Sequence, residues 1–476
     1  VKNQVWLTSL LSVLALHIFF PGSPRSHAAD KLNVLFIAVD DLNHWVGHLG
    51  RNPQTKTPNL DRLAARGVTF TNAHCAAPIC NPSRTALLSG LRPSTTGIYD
   101  NGQPFASAVT AQQSLVMQFK RAGYETLGMG KLWHGGLGFP EQWTATGGRE
   151  AGDAEGKDKL LDRSIGQIRF GIVTGDDSVV PDTSIANYGI AELAKSHSQP
   201  FFLTIGFHKP HMPWNVPRKY YDLHPLDQIQ LPPIQADDLA DIPPAGVRMA
   251  HAQGDHERVL ESGRWKEAVQ AYLAAISYLD AQVGRLLEAL DRSAYRDNTI
   301  ICLWGDHGWH LGEKEHWRKF ALWEEATRAP LIWVVPGVTQ PQGVCARPVD
   351  FMSIYPTLLD VAGIPIPDHV EGRSIRTLLA NPKAQWDQPA LTTHGLNNHA
   401  VRSDRWRYIR YADGGEELYD HSQDPYEWKN LASDPAWAQV KTELAKFFPT
   451  VNREPQKSER SAASAQNKTK NKKKKS

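Results

Sequence analysis

The chain has 476 residues, 41% of them hydrophobic and 21% charged, with 36 Gly and 32 Pro. These values exclude a disordered chain, a coiled coil and a multispan membrane protein, and they fit one large α/β domain with a smaller companion. The net charge of +2 hides a segregation: residues 453–476 carry nine Lys or Arg against two Glu, residues 1–28 add two cations, and residues 29–452 are left at −7. A mildly acidic body gives no support to nucleic-acid binding.

Lys2, the apolar run 6–20, the breaker Pro21-Gly22-Ser23-Pro24 and the small residues Ser26 and Ala28 read as a signal peptide over 1–28. The run is short for a membrane span, so no membrane contact is expected beyond the leader. The mature chain is then expected to start near Ala29 and to be secreted or periplasmic. Four cysteines, Cys75, Cys80, Cys302 and Cys345, are too few for a disulfide framework, although one bridge stays open.

Residues 32–39 form a short apolar, β-branched run that predicts a buried strand ending in Asp40-Asp41. Residues 58–67 read as a helix with Asn59 as N-cap and Gly67 after its end. Residues 68–70 look like a strand, 114–123 like an amphipathic helix, and 124–129 like a strand leading to Gly130-Lys131. Residues 142–185 are rich in Gly and Asp, show no period, and read as an insertion. Residues 201–207 predict a buried strand that runs into His208 and His211. The spacing of Ala271, Ala274, Ala275, Leu279, Val283 and Leu287 predicts one long helix over 264–291. Residues 299–304 predict a strand followed by Gly305-Asp306-His307-Gly308.

Strands alternating with helices predict a large, mostly parallel sheet flanked by helices over 29–385. Short polar-alternating runs from 390 onward predict a small antiparallel sheet with a closing helix near 435–448, a C-terminal α+β subdomain over 386–452. The Lys-rich 453–476 tail reads as disordered.

In a parallel α/β sheet the chemistry sits beyond the carboxyl ends of the strands. Here those ends carry Asp40-Asp41, Lys131, His208, His211 and Asp306-His307. Either acidic pair by itself is equally well explained as an N-cap. Together, three carboxylates and an imidazole favour a hard divalent ion, Ca²⁺ or Mg²⁺, over zinc.

Cys80-Asn81-Pro82-Ser83-Arg84 carries the C-x-P-S-R signature, and with it the chain resembles the type I, formylglycine-dependent sulfatases of the alkaline phosphatase superfamily. Gly130-Lys131-Leu132-Trp133-His134 resembles the family's Lys and His pair, and the 207–214 and 306–313 segments resemble most the iduronate-2-sulfatase branch, which shares His at the position of His307. The resemblance implies that a formylglycine-generating enzyme oxidises Cys80 to an aldehyde. It implies metal ligation by Asp40, Asp41, residue 80, Asp306 and His307. It further implies that Arg84 holds the hydrated aldehyde, that Lys131 and Lys319 bind sulfate oxygens, that His211 protonates the leaving alcohol and that His134 takes a proton when sulfate is released. Read without the resemblance, His134 is a packed aromatic edge beside Trp133 and Lys319 a solvated surface cation. The implied substrate is a sulfated saccharide. The competing functions are a phosphodiesterase or phosphonate monoester hydrolase of the same superfamily and an inactive binder of sulfated glycans.

Overall fold

A computed structural model describes Val1, residues 31–148 and residues 160–458. Residues 2–28 of the proposed leader, the 459–476 end of the tail and the centre of the 142–185 insertion lie outside them. The main sheet has eight strands in the order Gly343–Cys345, Val68–Phe70, Leu331–Val334, Thr299–Gly305, Asn33–Val39, Phe201–Phe207, Glu125–Gly130, Ala145–Thr146. Every neighbouring pair is parallel except the two made by Leu331–Val334.

The central strands are apolar on both faces because both faces are covered. Val34, Phe36 and Ala38 point into one layer, with Leu87, Phe119, Phe202 and Trp304. Leu35, Ile37 and Val39 point into the other, with Leu203, Ile205, Leu279 and Val283. The long helix Trp265–Arg292 supplies much of that second layer. Each such buried side chain contributes about 1.5–3 kcal/mol. The register aligns the strand ends: Val39 lies opposite Gly305 on one side and Phe207 on the other, and Gly130 lies opposite Gly206. Gly130 has φ +92°, and a Cβ there would meet Gly206 O at 2.0 Å, so the two backbones close up only with glycine. Lys131 leaves the sheet directly after that contact.

The first helix runs Pro58–Arg66, and its cap differs from the sequence reading. Asn59 lies inside the helix, with Thr57 at the N-cap position. Asp280, from the long helix, accepts the N–H groups of Asn59 (3.1 Å) and Leu60 (2.8 Å) and the Asn59 side-chain amide (2.8 Å). A tertiary carboxylate therefore does the work of a local cap. Starting at the end of the insertion and running beyond it, Pro181–Leu193 is a helix that the apolar period did not reveal. Its buried Asp182, Gly189 and Glu192 interrupt the apolar face.

The expected small sheet is a four-stranded antiparallel meander of Ala390–Thr393, His399–Arg402, Trp406–Arg410 and Glu416–Asp420. Helix Ala438–Ala445 follows it, and Leu444 packs with Tyr408, Leu418 and Phe448. The opposite face, Ala400, Ile409 and Tyr419, packs on Trp323 and Ala326. Arg407 is fully buried at that junction, paired with Glu324 and Glu427 and donating to Leu322 O at 3.0 Å. The boundary drawn at 453 moves outward. Arg453 N–H donates to Ser94 O (2.8 Å) and Gln456 N–H to Gly97 O (2.9 Å), so the start of the tail lies along the 94–103 segment. All four cysteines are buried free thiols.

Candidate active site

Cys80 is the first residue of helix Cys80–Ser89, and the extended Ile79 precedes it. The helix is buried along its whole length. Its start is pinned by the neighbouring loop: Asn81 N–H donates to Asn101 Oδ1 (2.9 Å) and its side-chain amide to Asp100 O (2.9 Å) and Gln103 O (2.6 Å). Four residues after Cys80, on the same helix face, comes Arg84. Its Nε donates to Asp306 Oδ2 (2.8 Å), Nη2 to Asp40 Oδ1 (3.3 Å), and Nη1 to the carbonyls of Lys131 (2.5 Å) and Leu132 (3.0 Å). One guanidinium thus ties three strand ends together. Ser83 Oγ donates to Asp306 O (2.5 Å), a tie the sequence reading did not single out.

The acidic groups face one another across these ties. Asp41 has φ +59°, and its N–H donates to Asp306 Oδ1 (2.9 Å). His307 Nε2 lies 3.3 Å from Asp41 Oδ1 and 3.4 Å from Asp306 Oδ1, while Nδ1 faces Gly308 O at 2.9 Å. Lys131 is paired with Asp40. Lys319 Nζ lies 2.6 Å from Asp41 Oδ1 and 3.0 Å from Cys80 Sγ. Cys80 Sγ is 3.4 Å from His307 Nε2 and 3.8 Å from Asp41 Oδ1. Lys319, which by itself reads as a surface cation, is buried in the centre and lies near the Trp309 ring.

The charges perturb one another strongly. Burial pushes the Asp40 carboxyl up, but Lys131, His211 and Arg84 outweigh it and hold it well below the usual range. For Asp41 burial prevails over Lys319 and His211, and the carboxyl is raised. Burial opposes charge on His307 most strongly, and Lys319 adds to it, yet Asp306 and Cys80 together outweigh them and lift the imidazole to about 9. Burial and Asp40 oppose ionisation of Cys80, and the opposing pull of Lys131 and Lys319 still brings the thiol below its ordinary value.

Asp40, Asp41, Cys80, Asp306 and His307 each offer a ligand atom, all within 4.8 Å of one another. Asp41 Oδ2 is buried and has no hydrogen-bond partner. A buried carboxylate oxygen without a donor, in a set of three carboxylates and one imidazole, fits a hard divalent cation. A second group among the described residues, Glu324, His421 and Glu427, is engaged instead by Arg402 and Arg407.

A cavity of about 660 Å³ opens beside this cluster, and Lys131, His134 and His211 line it. His211 Nδ1 faces Met212 O at 2.5 Å, and Nε2 lies 3.8 Å from Asp41 Oδ2. Burial is the main cause of the lowered pKa of His211, although 37% of its side chain stays open to the cavity, where water moderates the effect. His134 is lowered to about 4, by burial first and Lys131 second, and its Nδ1 is buried without a hydrogen-bond partner. Its place in the cavity wall separates it from a merely packed aromatic edge. Every site residue named from the sequence is therefore at this one sheet edge, and one further cation in the wall, Arg169, is not among them. Arg169 sits in the aperiodic insertion, which carries no motif to single it out.

The profile of the sulfatase family matches residues 32–364 of the chain. The chain belongs to the sulfatase family. It is a sulfuric ester hydrolase, and the iduronate-2-sulfatase likeness of its motifs holds across the chain. This sulfatase also matches the profile of the C-terminal part of N-sulphoglucosamine sulphohydrolase over residues 312–454. It is 42% identical to a sulfatase of Formosa agariphila over 89% of this chain and 87% of the relative. It is 30% identical to human iduronate 2-sulfatase over 77% of this chain and 75% of the relative. Among solved structures it superimposes, at 23% identity and a TM-score of 0.71, on a protein in complex with its substrate D-glucosamine-2-N,6-O-disulfate, covering 88% of this chain and 96% of that one. That last likeness establishes the fold, a large mostly parallel sheet flanked by helices.

Proposed function

We propose that this sulfatase hydrolyses a sulfate ester on a saccharide, with a Ca²⁺ or Mg²⁺ ion and a formylglycine made from Cys80. The observation that carries the reading is the position of Cys80 Sγ, between Lys319 Nζ (3.0 Å) and His307 Nε2 (3.4 Å) in the carboxylate cluster. An oxygen at this position suits a hard cation better than sulfur does. When present, the hydrated aldehyde supplies that oxygen nucleophile, and the ion supplies the charge that acidifies it.

The chain's own residues do the rest. Asp40, Asp41, Asp306 and His307 hold the ion. Asp40 and Asp41 have two oxygens each, enough to face the ion and a lysine together. Lys131 and Lys319 meet the sulfate oxygens, and Arg84 steadies residue 80 by charge-assisted hydrogen bonds. The Met212 carbonyl orients the His211 ring so that Nε2 faces the site, where it donates a proton to the leaving alcohol oxygen. An anionic substrate raises the depressed pKa of His211 and so couples protonation to binding. His134, with its pKa at about 4, is neutral near pH 7 and can accept the proton that residue 80 gives up as sulfate leaves.

The reading includes a formylglycine-generating enzyme as partner during maturation and export directed by the 1–28 leader, which N-terminal sequencing should show as a start near Ala29. The central test is peptide mass analysis of the 67–84 tryptic fragment, with rates on sulfated monosaccharides, an aryl sulfate and a phosphate diester. The expected result is aldehyde in place of thiol, loss of turnover in Cys80→Ala, and preference for sulfate. Unmodified Cys80 in fully active enzyme would overturn the formylglycine step, and preference for the diester would overturn the substrate class.

A further inference from the structure

The cavity has an uneven charge. Its described wall includes Lys131, Arg169, His134, His208 and His211 and no Asp or Glu. Lys131 is paired with Asp40. Arg169 is exposed and has no ion pair or side-chain hydrogen bond among the described residues. It is the wall's cation left for a ligand.

Its position is fixed by backbone. The paired N–H···O bonds of Ile165 and Ile168, each 2.9 Å, close a tight turn just before Arg169. Arg169 O accepts the Trp214 N–H at 2.9 Å, and Phe170 then pairs with Trp214 in a parallel ladder. The strand beginning at Trp214 directly follows the 208–213 loop that carries His208 and His211. Arg169 is therefore anchored to the same short sheet as the proposed proton donor, and the two face one cavity. Asp182 accepts the backbone N–H groups of His208 (3.0 Å) and Lys209 (2.7 Å), which fixes the near end of that loop.

A cavity of about 660 Å³ is in the range that encloses a small ligand. A sugar whose reacting sulfate sits at Lys131 and Lys319 extends along this wall towards Arg169. An exposed guanidinium there offers a planar, two-point match to a carboxylate or to a second sulfate. We propose that Arg169 is a specificity residue that binds a second anionic group, carboxylate or sulfate, on the sugar bearing the reacting ester. The proposal rests on the saccharide sulfatase reading and narrows its substrates to doubly anionic sugars.

The test pairs sugars that differ only in the second group: iduronate 2-sulfate with its methyl ester, and glucosamine N,6-disulfate with N-acetylglucosamine 6-sulfate. An aryl sulfate serves as reference. Arg169→Met is expected to raise KM about tenfold or more for the doubly anionic member of at least one pair. It should leave kcat within about threefold, and leave the singly anionic partner and the aryl sulfate within about twofold. Arg169→Lys should recover part of the loss. The pair that responds tells carboxylate from sulfate. Equal losses on singly and doubly anionic substrates, or no loss on either pair, would overturn the proposal. Calorimetric binding of the same sugars to Cys80→Ala, with and without Arg169→Met, reads the contact without turnover. If the unsubstituted protein hydrolyses none of these esters, the functional reading fails, while a tenfold loss of affinity in the double variant still supports the Arg169 contact and an unchanged affinity removes it.

Discussion

Asp306→Asn perturbs the proposed ion site and the protein scaffold at once, and a metal titration tells the two effects apart. Asp306 Oδ2 accepts Arg84 Nε at 2.8 Å, and Oδ1 accepts the Asp41 N–H at 2.9 Å. Both oxygens face donors, so an amide at this position must turn its NH₂ towards one of them. Removing one partner of a buried ion pair costs about 3–5 kcal/mol. Arg84 keeps Asp40 and two carbonyls, which puts the expected loss near the lower end, about 3 kcal/mol. For a chain of this length 1 kcal/mol corresponds to roughly 1 °C in Tm, so the variant stripped of metal should melt about 3 °C lower. The ligand set also falls from three carboxylates to two. At 100 times its Kd, bound Ca²⁺ should stabilise the unsubstituted protein by about 2.7 kcal/mol. A 100-fold weaker site at the same concentration returns only about 0.4 kcal/mol. The assay is thermal unfolding of chelator-stripped protein across a Ca²⁺ titration, with turnover measured in parallel. The unsubstituted protein should gain about 3 °C and the variant under 1 °C. An Asp306→Asn protein with the full Ca²⁺-induced rise would show that Asp306 is not a ligand, and the metal assignment would fall.

Ending the chain at Asn452 removes five hydrogen bonds made by residues 453–456: Tyr99 to Arg453 O, Gln103 to Gln456 O, Gln456 to Thr96 O, and the two backbone bonds to Ser94 and Gly97. The loss should be on the order of 2–4 kcal/mol in urea unfolding, and an unchanged midpoint would show that the segment adds nothing to stability. Stability should also depend on pH. Burial lowers His310 to about 3, and His399, with Arg410 adding to burial, to about 4. Unfolded imidazoles titrate near 6.5, so between pH 6.5 and 4 the unfolded chain binds the extra protons and stability falls as pH falls. From pH 7 to 5 each of these two should account for on the order of 2 kcal/mol of lost stability. The urea midpoint should drop over that range and drop less in His399→Gln, and an equal drop in that variant would contradict the assignment.

Sequence reading worked best where one strand, buried on both faces, ended in charge. Residues 33–39, 201–207 and 299–305 are strands because uninterrupted apolar runs suit a sheet covered on both sides. It failed where a distant residue replaced a local signal. Asn59 has the chemistry of an N-cap, but Asp280 in another helix holds that helix start. Pro181–Leu193 escaped because polar residues stand on its buried side: Asp182 accepts the backbone N–H groups of His208 and Lys209, and Glu192 pairs with Lys195.

The sequence by itself determined which residue types meet at this sheet edge, since the Cys80–Arg84 string and the residues that end the strands supply a thiol, carboxylates and cations. Only the tertiary structure decided how these charges are used. Lys319 becomes a buried partner of Asp41 and Cys80 because chain regions far apart in sequence converge there. Arg84 joins Asp40, Asp306 and the Lys131 carbonyl because strands in parallel register end at one level. Charges within a few ångströms, out of water, interact far more strongly than the same residues in an extended chain, and that proximity is a property of the fold.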